Sequence, residues 1–194
     1  MKLVINLVHG KLRTTKNIRF NQLIEFLNNK YNLKFKWSSL DRSSLYSNSW
    51  FTGFIEADGH FGIKTVKRKI KLASITLPEL RKEGQIISNN VSLVFRLDQR
   101  AQDISTNSSM KPIMQILADQ LDSNLLTFNY SPKKKTNEIR EVYSVSLTSP
   151  KKLLPLIEYL NKYKLIGSKY RDFKDWEKFI IWLFLKNILH IQLI

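Results

Sequence analysis

Apolar residues near the N-terminus form two blocks with different periods. Residues 3–8 are a nearly continuous apolar run, and such a run predicts a buried β-strand. The next block has apolar residues at i, i+3, i+4 and i+7, which predicts a helix from about Asn17 to Asn29. Because a strand and a helix alone do not make a domain, we expect this segment to belong to a larger neighbouring structure.

The rest of the chain predicts the order helix, two strands, helix, two strands, helices. The first of these helices ends at Gly59, and a strand follows it to about Lys71. The second strand, Asn90–Leu97, alternates more cleanly. Its outward positions are Asn90, Ser92, Val94 and Arg96. We therefore expect an α+β fold in which one face of an antiparallel sheet carries helices and the other forms a curved polar saddle.

Composition points to a polyanionic partner. The 194 residues include 32 Lys and Arg against 16 Asp and Glu, a net charge of +16. An aromatic content of 11% is that of a folded domain, so the charge favours nucleic acid over a disordered basic tail. A membrane is not expected as a partner, because no uninterrupted apolar run is long enough to cross one. The absence of cysteine excludes thiol catalysis, disulfides and Cys-based zinc fingers, and with three widely spaced histidines a His-ligated metal site is not expected.

The segment from Trp50 to Phe61 carries the chemistry. Gly53 and Ala57 lie four residues apart, on one face of a short apolar helix, where small residues let a second helix approach closely. Glu56 and Asp58 fall in the last turn, where the helix dipole disfavours acids by about 0.3–1 kcal/mol each. A divalent cation would compensate for them. The helix ends at Gly59, which predicts a left-handed C-terminal cap.

Phe51–Gly59 resembles the nine-residue motif of the LAGLIDADG homing endonucleases and group I intron maturases, of the fungal-mitochondrial type. The glycine, the two acids and the terminal glycine are kept, while Phe51 and Thr52 replace the usual Leu-Ala. The resemblance implies an αββαββα fold in which two motif helices pair. Their acids then meet and bind divalent metal such as Mg²⁺ at the scissile phosphates.

The same resemblance implies three catalytic residues. By motif position Asp58 is the metal-binding acid, and Glu56 is a helix-end or interface contact. Gln99 matches a glutamine at the end of the family's second strand that positions metal-bound water. Lys169 matches a lysine before the last long helix that supports water activation or phosphate charge. Gly53 and Ala57 form the helix-pair interface.

The outward face of the predicted sheet supplies candidates for base or phosphate contacts. These are Lys64, Arg68, Asn90, Ser92, Arg96, Arg100, Arg140, Ser144 and Ser146. The loop of the second hairpin adds Lys133, Lys134 and Lys135 as a basic tip.

A single motif makes half of a paired-acid site. Residues 1–45 resemble the tail of a missing first repeat, and residues 46–194 resemble the C-terminal LAGLIDADG repeat of a two-motif member. The alternative is that residues 1–45 embellish a one-motif protein. The second repeat would come from a homodimer or from a separate chain; otherwise the chain is no longer a nuclease.

Two functional hypotheses follow. The first is an intron-encoded, Mg²⁺-dependent site-specific DNA endonuclease, a group I intron RNA maturase, or both. The second is an inactive remnant that binds RNA in a ribonucleoprotein such as the mitochondrial ribosome. A purely structural dimerisation module would leave the charge unexplained. Abundant Lys, Asn and Ile with few alanines suggests an AT-rich organelle gene and a mitochondrial matrix location, with no evident transit peptide.

Overall fold

The computed structural model describes residues 2–69, 87–131 and 139–191. Its helices and strands follow the order that the hydrophobic pattern predicts from the motif helix onward. The elements are α1 (Lys2–Val8), α2 (Lys16–Tyr31), a 3₁₀ turn (Leu45–Ser47), α3 (Trp50–Asp58), β1 (Gly59–Lys69), β2 (Ile87–Arg100), α4 (Lys111–Gln120), β3 (Leu125–Tyr130), β4 (Arg140–Leu147), α5 (Pro150–Lys162) and α6 (Lys169–Ile191).

The four described strands form one antiparallel sheet in the order β1-β2-β4-β3. Its register places Phe61 opposite Phe95, and Phe95 opposite Leu147, so large apolar side chains line up on one face. Alternate residues point to opposite faces of a strand, so Lys64, Ser92 and Arg96 lie on the other face. The predicted α+β architecture, with helices on one face of the sheet, is confirmed.

The core lies between the sheet and its helices. Phe51 and Ile55 of α3 are fully buried with Phe95 of β2, and Phe173 and Trp176 of α6 close the cluster. The Trp176 indole Nε1 also donates to the Gly62 carbonyl at 3.2 Å, so a buried polar atom of α6 is paired with the backbone of β1. None of the described helices combines the length and the apolar character needed to cross a bilayer.

The strand expected over residues 3–8 is wrong, because these residues form helix α1. Short apolar runs do not distinguish a strand from a buried helix by periodicity. A strand here would need a partner for its backbone groups, whereas a helix satisfies them internally. Helix α1 instead packs Ile5 against Ile24 and Leu27 of α2, which forms a second small apolar cluster.

Arg13 joins this N-terminal hairpin to the motif helix. Its guanidinium is buried, donates to the Ser43 carbonyl at 2.6 Å and pairs with Asp41 at 2.8 Å. Its central carbon lies 5.3 Å from the ring centroid of Trp50, the first residue of α3. A buried charge needs such compensation, so the contacts of Arg13 fix the N-terminal hairpin against the start of the motif helix.

Gly59 does not adopt the predicted left-handed cap, since its φ is −70° and its ψ is 147°. The need for glycine is steric. A Cβ at this position would lie 2.6 Å from the Cγ2 atom of Ile55 and 2.7 Å from its carbonyl oxygen. The motif helix therefore turns directly into β1 through a contact that leaves no room for a side chain.

Candidate metal centre and nucleic-acid interface

The Tyr159 hydroxyl anchors the N-terminus of α3. It accepts from the buried Thr52 backbone N–H at 3.0 Å and donates to the Asn48 carbonyl at 2.8 Å. Thr52 and Asn48 are four residues apart, so this hydroxyl bridges the N–H and C=O pair that immediately precedes the bond from Gly53 N–H to the Ser49 carbonyl. Thr52 Oγ1 donates to the Tyr163 carbonyl at 2.8 Å. These contacts hold the motif helix against α5.

Two oppositely charged side chains anchor the other end of α3. The Glu56 carboxylate accepts from the backbone N–H of Ile166 at 3.1 Å and of Gly167 at 2.9 Å. Lys169 Nζ donates to the carbonyls of Ile55 at 3.2 Å and Ala57 at 3.0 Å. Those carbonyls lie at the negative end of the helix, which a cation stabilises. Glu56 is thus a helix-end contact, as the motif position implied.

Asp58 ends the helix and accepts a hydrogen bond from Gln99 Nε2. Burial raises the pKa of the Asp58 carboxyl above its usual 3.8, although the side chain keeps access to solvent. The charge of Lys169 and the Gln99 hydrogen bond oppose this rise. A raised folded-state pKa means that ionised Asp58 costs folding stability above that pKa. A bound cation would remove this cost, because it favours the charged form.

Lys16 also acts on this carboxylate, since its charge lowers the pKa of Asp58. It lies at the start of α2, in the wall of an open cleft of about 670 Å³. The floor of this cleft includes Gly53, Ala57 and Asp58 of the motif helix. Gly53 and Ala57 are exposed, and a Cβ added at Gly53 meets no atom within 4 Å. The small-residue face of α3 is therefore open in the single chain.

The described residues do not supply a complete metal centre. Among residues 2–69, 87–131 and 139–191, no three His, Cys, Asp or Glu side chains cluster. Asp58 offers one carboxylate to the cleft, while Glu56 is bound to the backbone before α6. Mg²⁺ is commonly held by one or two carboxylates and keeps several waters. The described residues thus fit half of such a site, in which Asp58 would supply the carboxylate ligand.

The predicted saddle residues have different outcomes. Lys64 is exposed and lies opposite Ser92, and Arg100 is exposed at the end of β2. Arg96 is partly buried and pairs with Asp98 at 2.8 Å. Arg140 and Ser146 lie in β4 and are partly buried. Arg68 of β1 lies opposite Ser88, and Asn90 of β2 lies opposite Val66. Lys133, Lys134 and Lys135 lie outside the described residues.

Ser144 and Val94, both expected to face outward, are buried at 2% and 4% exposure. Ser144 lies on the inner strand β4, between Asp98 and Leu126 in the register. Arg96 and Phe128, on the strands to either side of β4, meet with 5.2 Å between guanidinium carbon and ring centroid. A short side chain between two larger ones has little access to solvent, so Ser144 is unsuited to base contact.

Sequence reasoning missed three features. Lys16 gave no local signal, because its proximity to Asp58 depends on how the N-terminal hairpin packs. Tyr159 was hidden among the apolar residues of an amphipathic helix. The third is a row of exposed apolar side chains on β3: Leu126, Phe128 and Tyr130. Their period-two spacing was visible in the sequence, but which face they occupy was not.

The chain belongs to the LAGLIDADG endonuclease family. The family model described as LAGLIDADG endonuclease matches residues 51–180, well over half of the 194 residues. The match begins at the first motif position and ends within α6, so it includes the motif helix, all four described strands and Asp58, Gln99 and Lys169.

Curated relatives are intron-encoded proteins of fungi. Intron-encoded DNA endonuclease aI3 of Saccharomyces cerevisiae is 31% identical, over 92% of this chain and 45% of the relative. The uncharacterized cox1 intron-2 37.2 kDa protein of Schizosaccharomyces pombe is 28% identical, over 90% of this chain and 44% of the relative. The chain thus spans a little under half the length of these relatives. Among solved structures, meganuclease I-SmaMI bound to uncleaveable DNA is 22% identical, over 84% of this chain and 45% of that chain, with a TM-score of 0.46.

Proposed function

We propose that this chain is one repeat of a site-specific DNA endonuclease that hydrolyses phosphodiester bonds once a second repeat pairs with it. The observation that carries the proposal is the convergence of Asp58, Gln99 and Lys169 at the end of a helix whose Gly53/Ala57 face is open. Half of a metal site beside an open pairing face is what a two-helix catalytic centre requires.

In this proposal Asp58 holds one side of a Mg²⁺ site, and a carboxylate of the second repeat holds the other. The metal supplies Lewis acidity and an activated water when bound. Gln99 donates to the Asp58 carboxylate and so fixes its orientation, and it would help to position a water held by the metal. Lys169 neutralises the carbonyl end of α3 and adds positive charge where phosphate would approach.

The second repeat has two possible sources. The relatives are about twice as long as this chain, which supports a first repeat ending in a segment like residues 1–45. A homodimer would instead supply a second Asp58. Mass spectrometry of the cleavage-competent species distinguishes the two, since a homodimer contains this sequence alone whereas the other route adds a different first-repeat sequence. Gly53→Leu fills open space in the single chain, so it should leave folding intact while it abolishes pairing by either route.

The activity test uses the full chain, Mg²⁺ and duplex DNA that spans the uninterrupted insertion site of its intron. Cleavage is expected, and Asp58→Asn should abolish it while leaving binding of the duplex intact. Asp175→Asn is the matched control, because Asp175 is an exposed surface carboxylate paired with Lys178. Intact DNA at every protein concentration, with the second repeat present, would refute the endonuclease proposal.

The net charge of +16 supports a second candidate, RNA binding as a group I intron maturase or as a remnant within a ribonucleoprotein such as the mitochondrial ribosome. Phosphate neutralisation supplies much of the affinity for nucleic acid and does not depend on Asp58. Salt-sensitive binding to the chain's own intron RNA, and splicing unaffected by Asp58→Asn, are expected in that case. The relatives' intron origin also supports a mitochondrial matrix location, and fractionation of cells would test it.

A further inference from the structure

Strand β3 presents a row of apolar side chains on the face of the sheet opposite the helices. Leu126, Phe128 and Tyr130, hereafter the β3 row, are 52%, 36% and 54% exposed. They lie opposite Ser144, Val142 and Arg140 of β4. The alternate β4 residues Tyr143 and Val145 are buried in the core, so the β3 row lies on the saddle face.

If burial alone decided the sequence of β3, its apolar side chains would point toward the helices and its polar ones toward solvent, but the opposite is observed. The β3 residues that point toward the helices include Thr127 and Asn129, both of them exposed. β3 is an edge strand of the described sheet, and a long exposed apolar edge favours unwanted association. We therefore expect a ligand to cover these apolar side chains on the solvent face.

The surroundings of the β3 row identify the charge of that ligand. Arg96 lies over Phe128 and pairs with Asp98 on the same face, and Arg140 is opposite Tyr130 in the register. Lys64 and Arg100 are exposed on the same face. A second copy of the chain, or an apolar protein surface, would have to cover these like charges. A polyanion that also carries small apolar groups matches the net positive charge of this face and covers the row.

Duplex DNA provides such groups at the right spacing. Alternate residues of an antiparallel strand are about 6.8 Å apart, which equals two base-pair steps of about 3.4 Å. The major groove admits a two-stranded ribbon such as the β3–β4 hairpin, and the thymine C5 methyl is the apolar group that base edges present there. We propose that the β3 row contacts thymine methyl groups at alternate base-pair steps and so selects a thymine-containing half-site.

This inference rests on the proposed DNA-binding function and adds a specificity determinant to it. It also separates the two candidate partners. Uracil lacks the methyl group, and the major groove of an RNA helix is too deep and narrow for side chains to read. The apolar character of the β3 row therefore favours DNA over RNA as the ligand of the saddle.

The test begins with selection of bound duplexes from a random-sequence library by the full chain. Each thymine of the selected duplex is then replaced singly by uracil, which removes one methyl group and leaves charge and pairing unchanged. Affinity should fall about fourfold at two or three positions spaced two base pairs apart, as expected for one buried methyl. Other thymines should show no change.

Variants assign the effect to the β3 row. Leu126→Ser and Tyr130→Ser alter exposed side chains, so each should fold normally and lose the thymine-to-uracil difference at one position. Ile116→Ser is the matched control, because Ile116 is 42% exposed on α4, away from the saddle. Equal affinity for thymine and uracil duplexes in the wild type overturns the inference but leaves DNA binding intact.

Two further outcomes would also overturn it. If Leu126→Ser and Tyr130→Ser weakened binding to single-stranded thymine oligonucleotides as much as binding to duplexes, the β3 row would be assigned to base stacking. Failure to bind any duplex, with or without thymine, would refute the DNA-binding function itself and this inference with it.

Discussion

The Tyr159 hydroxyl provides a direct test of how the motif helix is held. Tyr159→Phe keeps the ring and its packing on Phe51, whose centroid lies 5.5 Å away, and removes one oxygen. Thr52 N–H then loses its acceptor, and Thr52 is 5% exposed, so water does not replace it readily. Thr52 Oγ1 keeps its bond to the Tyr163 carbonyl.

The expected cost follows from those atoms. A buried N–H left without a partner costs about 1–3 kcal/mol, and the lost bond to the Asn48 carbonyl is largely replaced by water because Asn48 is partly exposed. We therefore expect Tyr159→Phe to lower the free energy of unfolding by about 2 kcal/mol. For a chain of this size that corresponds to a fall in Tm of about 4–8 °C.

Urea titration of the metal-free chain, followed by circular dichroism, measures the change at constant m-value. Tyr163→Phe is the matched control. Its hydroxyl bonds the exposed Ser47 carbonyl at 2.9 Å, so its loss should cost about 0.5 kcal/mol or less. Equal values for the two variants would show that the Tyr159 bridge does not stabilise the motif helix.

Three other predictions concern the ends of the motif helix and a nearby turn. Gly59→Ala forces a Cβ to within 2.7 Å of the Ile55 carbonyl, so the same titration should show a loss of about 1–3 kcal/mol; a neutral result would contradict the close approach. Glu56→Ala removes the acceptor for the N–H groups of Ile166 and Gly167, so it should lower the free energy of unfolding by about 1–2 kcal/mol. Glu56→Gln keeps one amide oxygen as an acceptor, so its stability should lie between those of Glu56→Ala and the wild type. Hydrogen bonds led by that from the Ser105 hydroxyl lower the pKa of Asp103 to about 2. The ionised Asp103 carboxylate therefore stabilises the fold above about pH 4, and this stabilisation is lost toward pH 2. The loss of unfolding free energy caused by Asp103→Ala should shrink as the pH is lowered from about 6 to about 2. An equal loss at every pH would refute the prediction.

The strands and helices after residue 46 were predictable from the sequence because their periods are regular and their ends carry turn residues. The alternating apolar residues of β2 and the buried residues of α4, Ile113, Met114 and Leu117, each face a core that the chain itself supplies. The N-terminal run was not predictable, since five apolar residues within the six positions 3–8 fit a strand or a helix equally well. What decided it was the contact of Ile5 with α2, which is tertiary.

The candidate site was predictable where it follows the motif and unpredictable where it depends on packing. Asp58 and Gln99 were identified by the motif and by a strand end, and the structure brings them into hydrogen-bond contact. Ser144 was misassigned because alternation gives the face of a strand but not the size of the side chains around it. Lys16 could not be found at all, because 42 residues separate it from Asp58 in the sequence.

Because Glu56 is anchored to the backbone before α6, folding retains the two acids of the motif to different degrees. Glu56 closes the loop before α6, so the fold itself retains it whether or not the protein cuts DNA. Asp58 bonds with its own chain through Gln99 alone among the described residues, and its ionised form costs stability. In a lineage that has lost cleavage, drift should therefore erase the eighth motif position and preserve the sixth. An acid kept at the sixth position and lost at the eighth would then mark a chain that no longer cleaves DNA.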